Sequence, residues 1–167
     1  GKILHEYRSP GLAGARGFVP RFPYYGSVDA TPLFIVLLSE HARRTGDLAF
    51  ARSLEETLLA AVRWIERAGD GFLTYRRSTA FGLRNQGWKD SEDSVRFRDG
   101  RTAEPPIALV EVQGYVIDAL RRAAELYRML GRSEAEAVAL AALAARGLAA
   151  LDRAFWLEAP GFSAMAL

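Results

Sequence analysis

The chain has 167 residues, half of them hydrophobic and a quarter charged, and its formal net charge is +2. That composition suits one globular domain with a sizeable core. Arginines and acids are interspersed without runs of like charge, so nucleic-acid binding gains no support. Cysteine is absent, and the two histidines, His5 and His41, lie far apart. Disulfides, thiolate metal sites, zinc spacing and a Ser-His-Asp arrangement are thereby excluded, and any acid–base chemistry falls to carboxylates.

The longest apolar run, PLFIVLL, is far shorter than the roughly 18 residues of a membrane span. The opening GKILHEYRSPG lacks the apolar centre of a signal peptide. These features predict a cytoplasmic protein without membrane or nucleic-acid partners, and no cofactor is expected. Gly1, in place of an initiator Met, is compatible with a cut end of something longer.

In chain order, the first thirty residues carry Gly, Pro and aromatics without a lasting period and read as ordered loop. Thr31 followed by Pro32 looks like an N-cap and first helical residue. A first helix is predicted from about Pro32 to Thr45, ended by Gly46. Asp47 can cap a second, running to about Ala68, with Leu54, Leu58, Ala61 and Ile65 at helical spacing and Gly69 and Gly71 behind it. FLTYRR alternates as a short strand or hairpin arm would. An irregular stretch follows, from about Ser78 to Glu104. Pro105-Pro106 opens a third helix to Leu130, with Val112, Val116, Leu120, Ala123, Leu126 and Leu130 on its apolar stripe. Gly131 stops it. Ser133, with Glu136 three residues on, gives a capping-box pattern for a fourth helix reaching about Trp156. GFSAMAL closes the chain as a strand-like segment.

The expectation is an all-α domain of two helical hairpins, over about 31–68 and 106–157, joined by a long connection over about 69–105. The hairpin turns are two or three residues long, whereas the middle connection exceeds thirty. Connections beyond about 12–15 residues are uncommon in compact domains unless functional or disordered. Phe81, Trp88 and Phe97 argue against disorder. Up–down alternation places the segment before the first helix, the long connection and the segment after the last helix at one end of the bundle. The short turns take the other end.

Three stretches at that end could carry chemistry. In PRFPYYGSVDATP, Tyr24, Tyr25 and Asp29 either line a pocket or serve as packing and capping groups. GWKDSEDS sets Asp90, Glu92 and Asp93 beside Trp88 and Lys89. A flat apolar ring among carboxylates suits carbohydrate, and glycoside hydrolysis needs two carboxyls across the site; a solvated loop would look similar. PPIALVEVQGY puts Glu111 and Gln113 near the start of a helix. There Glu111, Tyr115, Asp118 and Arg122 share a stripe that reads as pocket wall or as solvated face with an ordinary i,i+4 pair. Gly114 in mid-helix costs about 1 kcal/mol relative to Ala and suggests a close backbone approach. The Ala-rich fourth helix reads as scaffold.

YYGSVDATPLF, GLRNQGWKDSEDSV and PIALVEVQGY, in that order, resemble the bacterial glycogen-debranching-like family of the amylo-alpha-1,6-glucosidase type. These belong with the six-hairpin (α/α)6-toroid glycosidases, alongside trehalases and mannosylglycerate hydrolases. The resemblance spans nearly the whole chain. It implies an α-helical toroid with its sugar pocket at one mouth and inverting hydrolysis of an α-glycosidic bond by two carboxyls. In related toroid glycosidases the general acid lies in an acidic Ser-x-x-Asp segment before a helix of this type. Ser91-Glu92-Asp93 is one residue shorter, which makes Asp93 the first choice and Asp90 the second. The resemblance also implies that Gln86, Trp88 and Lys89 hold the sugar. Tyr24, Tyr25, Asp29, Glu111 and Gln113 would line the pocket.

A full toroid has twelve helices against four here, and the partner carboxylate lies downstream of the EVQGY helix in the family. The chain is therefore expected to be a central slice, with self-association or the missing remainder of the toroid covering its flanks. The competing expectations are a non-catalytic carbohydrate-binding or assembly remnant, and a helical domain whose loops merely seal its ends.

Overall fold

The computed structural model describes residues 1–7, 23–67, 71–77 and 82–167. The expectations for Ala68, Gly69, Ser78, Phe81 and most of the opening loop lie outside the described residues. Among the rest, the chain is predominantly helical: α1 (Ala30–Thr45), α2 (Leu48–Ser53), α3 (Glu55–Glu66), α4 (Val110–Met129) and α5 (Glu134–Phe155). Strands β1 (Trp156–Leu157) and β2 (Phe162–Ser163) form a two-stranded antiparallel ribbon behind α5, pairing Trp156 with Ser163 and Leu157 with Phe162.

Helix ends follow local chemistry in some places and depart from it in others. Gly46 (φ 70°) takes the left-handed conformation that glycine adopts without a steric penalty and donates to Ala42 O, ending α1. The Asp47 carboxylate accepts from Phe50 N at 2.9 Å and caps α2. Gly131 (φ 73°) donates to Arg128 O and Arg132 N to Tyr127 O, the paired bonds of a Schellman ending for α4.

Several predicted boundaries need correction. The expected second helix divides at Leu54 into α2 and α3. Asp29, not Thr31, precedes α1, because the Thr31 hydroxyl is taken by Ile3 N at 2.9 Å. The third helix opens at Val110 rather than at the cis Pro105-Pro106 pair. Between them, Ile107 exchanges both backbone bonds with Tyr75 (3.0 and 3.1 Å), so this stretch is an extended pairing partner. Ser133 caps α5 without a side-chain bond, and the Glu136 carboxylate is drawn instead to Arg132 at 2.7 Å.

α4 is the central helix, packed along both α1 and α5, with α3 against α1. Ile35, Leu38, Leu58, Ile65, Leu120 and Leu140 belong to the main core between the helices. A second core at one end holds Val28, Leu73, Tyr75, Val95, Ile107, Leu109 and Val112. Val28 precedes α1 and Leu109 precedes α4, so the two helices start at the same end. Arg122 of α4 donates to Glu40 of α1 at 2.7 Å, each about three turns into its helix, so the helices run parallel.

The long connections gather at that shared end, as alternation predicted. Val28 N donates to Gln86 O at 2.7 Å and Ala103 N to Val95 O at 2.9 Å. The chain's last residues close it: Ala108 and Leu167 exchange bonds of 2.9 and 3.0 Å, and Val110 N donates to Met165 O at 2.9 Å. Residues buried in irregular backbone need such partners, since an unpaired peptide group away from water is costly.

Candidate functional site

The end core carries a loop, Asn85–Ser94, laid over the start of α4. Gly87 is the point of contact. A Cβ there would stand 2.5 Å from Leu109 Cδ1 and 3.6 Å from Glu111 Oε1. Only a glycine lets the loop backbone lie this close to the helix start. The close approach expected at Gly114 is not found among the described residues, where a Cβ at Gly114 would meet nothing within 4 Å.

Glu111 sits in the first turn of α4, where the helix dipole favours a negative charge. Its carboxylate is half-buried. Oε2 lies 3.9 Å from Lys89 Nζ, while Oε1 is buried and meets no donor among the described residues. A carboxylate oxygen in that state can accept a further hydrogen bond, and leaving it without one is costly. Trp88, adjacent to the Gly87 contact, is 76 % exposed. Its aromatic side chain is open to solvent one residue before Lys89.

Around these exposed groups lies a set of buried amides whose bonds hold the loop. Gln113 is clamped across to Leu73: its Oε1 accepts from Leu73 N at 2.9 Å, and its Nε2 donates to Leu73 O at 3.0 Å and Leu109 O at 2.9 Å. Gln86 Nε2 donates to Arg76 O at 3.0 Å. Tyr75 Oη donates to Asn85 Oδ1 at 2.9 Å, and Asn85 Nδ2 donates to Ser91 O at 2.6 Å. Burial, and secondarily the Glu111 charge, push the Tyr75 phenol up to about 12, so it remains an O–H donor at neutral pH.

No family model matches the chain, and none of the curated proteins matches it.

Each residue that the sequence singles out has a definite place. Glu111, Lys89 and Gln113 meet at the start of α4, and Gln86 and Trp88 flank the Gly87 contact there in the chain. Of these, Gln86 and Gln113 are buried with their amides committed to backbone groups. Tyr24 is buried too, with its hydroxyl accepting from Leu83 N at 2.9 Å and its ring edge-on to His5. Tyr25 beside it is 47 % exposed. Asp29 is half-buried at the start of α1 without a side-chain capping bond. It bears on Lys2, whose ammonium burial holds below the ordinary lysine range while Asp29 opposes that shift. Asp90 is exposed. Asp93 is exposed and pairs with Arg96, whose Nε also donates to the Asp93 carbonyl at 2.8 Å. Asp118 and Arg122 form the expected i,i+4 pair, extended to Glu40.

Tyr75, Asn85 and Gly87 were not singled out as site residues by the sequence. Asparagine and glycine within NQG signal a turn, and the alternation of FLTYRR marks Tyr75 as inward-facing. Neither signal says that the phenol and the amide meet across ten residues. Among the described residues no group of three or more His, Asp or Glu could hold a metal ion, and no helix is long and apolar enough to cross a membrane.

Proposed function

We propose that this chain is part of a cytoplasmic carbohydrate-processing enzyme of the (α/α)6-toroid type, acting on an α-glucan or small α-glucoside. α1 and α4 supply two neighbouring parallel inner helices, and α3 and α5 the antiparallel outer ones. The observation that carries the proposal is at the start of α4: Lys89 stands beside Glu111, whose buried oxygen meets no donor among the described residues, and the exposed Trp88 is next to Lys89 in the chain. An aromatic face offers a stacking surface to a sugar ring, and the open acceptor suits a sugar hydroxyl.

Inverting hydrolysis transfers a proton from one carboxyl to the leaving glycosidic oxygen, while a second carboxylate takes a proton from the attacking water. The two stand about 6.5–9.5 Å apart to admit that water. Asp93 is the proposed acid and Asp90 the alternative. The partner carboxylate belongs to another hairpin of the ring.

A second reading, binding without catalysis, is favoured by one observation: Asp93 faces solvent and pairs with Arg96, whereas a general acid works best where its surroundings keep it protonated. Asp93→Asn separates the two, assayed on whatever longer form turns over α-glucans. If Asp93 is the acid, turnover falls by about a hundredfold or more with oligosaccharide affinity retained. Equal loss of affinity and turnover would contradict the catalytic role. Unchanged turnover would remove Asp93 from the acid's role and pass it to Asp90, whereas a longer form that binds oligosaccharide without turning it over would put the binding reading ahead.

A further inference from the structure

The acidic turn Asp90–Asp93 is exposed, yet its backbone is tied to the buried end core through one continuous path. Tyr75 is fixed by its two backbone bonds to Ile107, immediately before α4. Its hydroxyl donates to Asn85 Oδ1 at 2.9 Å, and Asn85 Nδ2 donates to Ser91 O at 2.6 Å. Ser91 O also accepts from Ser94 N at 3.1 Å, and Ser94 Oγ donates to Lys89 O at 2.7 Å, which closes the turn on itself. Asn85 is only 1 % exposed and Tyr75 4 %. The amide orientation is fixed by chemistry: a carbonyl such as Ser91 O can only accept, so the NH2 must face it, leaving the amide oxygen for the phenol.

We propose that Tyr75 and Asn85 are positioning residues that act through the Ser91 carbonyl, setting the acidic turn and Lys89 over the start of α4. This rests on the carbohydrate-site reading for what the turn does, though not for whether the relay holds it. Neither side chain reaches the surface, so neither touches a ligand. The relay needs a group at position 85 that donates on one side and accepts on the other. An amide does so at every pH. A carboxyl does so only when protonated, because the ionised form would set a negative oxygen against the Ser91 carbonyl.

The test uses Tyr75→Phe and Asn85→Asp in the whole chain, with two readouts: backbone hydrogen exchange, and calorimetric titration with maltotriose. In Tyr75→Phe, exchange quickens at the Ser94 amide, which is bonded to Ser91 O, while the amides of Tyr75 and Ile107 stay protected, and the maltotriose Kd rises about tenfold. In Asn85→Asp the same local loss appears at high pH and is reversed as the introduced carboxyl takes up its proton, a reversal that a merely structural role would not give. Uniform loss of protection through the end core, or none at Ser94, overturns the relay. Local loss with unchanged sugar affinity overturns its positioning role. If the wild-type chain takes no maltotriose, the carbohydrate reading fails, and the exchange pattern with its pH reversal still decides whether the relay holds the turn. Should Asn85→Asp fail to fold, Tyr75→Phe carries the exchange test alone.

Discussion

At Gly87 the absence of one side chain decides how the loop meets the helix. Leu109 is buried, so its methyl cannot swing away from an added Cβ placed 2.5 Å from it. Gly87→Ala is expected to cost about 1–3 kcal/mol by overpacking and to lift the loop from Glu111. A urea melt checks the first effect; an unchanged midpoint would contradict the close approach. The sequence pointed to this kind of contact but at Gly114, because a glycine inside a helix is conspicuous and a glycine inside a turn is not. Similarly, Thr31 has the chemistry of an N-cap, and only its bond to Ile3, 28 residues away, removes it from that task. Long-range partners of this sort leave no trace in local spacing. Glu111 was legible as a candidate from its place near a helix start. That one of its oxygens is buried without a donor among the described residues was not.

At the scale of elements, the link between α1 and α4 has an acid-labile part. Hydrogen bonds from Arg43 and Arg44, aided by their charges, hold the Glu40 carboxyl down from 4.5 to about 2, and Arg122 brings α4 into the same cluster. A carboxyl whose folded value is depressed stabilises the fold fully above its unfolded value and loses that contribution as pH falls through the folded one. The Tm difference between the wild-type chain and Glu40→Gln should therefore be greatest above about pH 4.5, shrink as pH falls toward about 2, and vanish below it. It should also shrink in high salt, since these groups are solvent-accessible. A difference that persists undiminished at low pH would contradict the assignment. Helix existence and facing were readable from periodicity, as in the Leu58, Ala61 and Ile65 stripe of α3 and the stripe of α4. Helix starts were less so. Pro105-Pro106 is a plausible opening by local rules, but the backbone beyond it is claimed by Tyr75 and by the C-terminal segment, and pairing between distant segments overrides the local signal.

For the whole molecule, the distribution of connections carried more information than any single motif. Two short turns and one long connection imply that every irregular segment shares an end, and the end core from Val28 to Val112 is the physical result. The flanks of the bundle also carry exposed apolar groups. Leu33 and Leu37 of α1 are exposed, and a groove of about 840 Å³ runs between residues 95–104 and the C-terminal ribbon, with Phe97, Leu157, Phe162 and Met165 among its lining. Under the toroid proposal, neighbouring hairpins would cover this surface. The central claim is that the shared end, and no other surface, receives carbohydrate. Titrating the 15N-labelled chain with maltotriose and mapping backbone and Trp side-chain shifts tests it directly. The account predicts saturable shifts concentrated at Trp88, Lys89, Glu111 and Tyr25, with the short-turn end around Gly46 and Gly131 unmoved. Shifts centred on the short-turn end or on the C-terminal groove, or no saturable shifts at all, would contradict it.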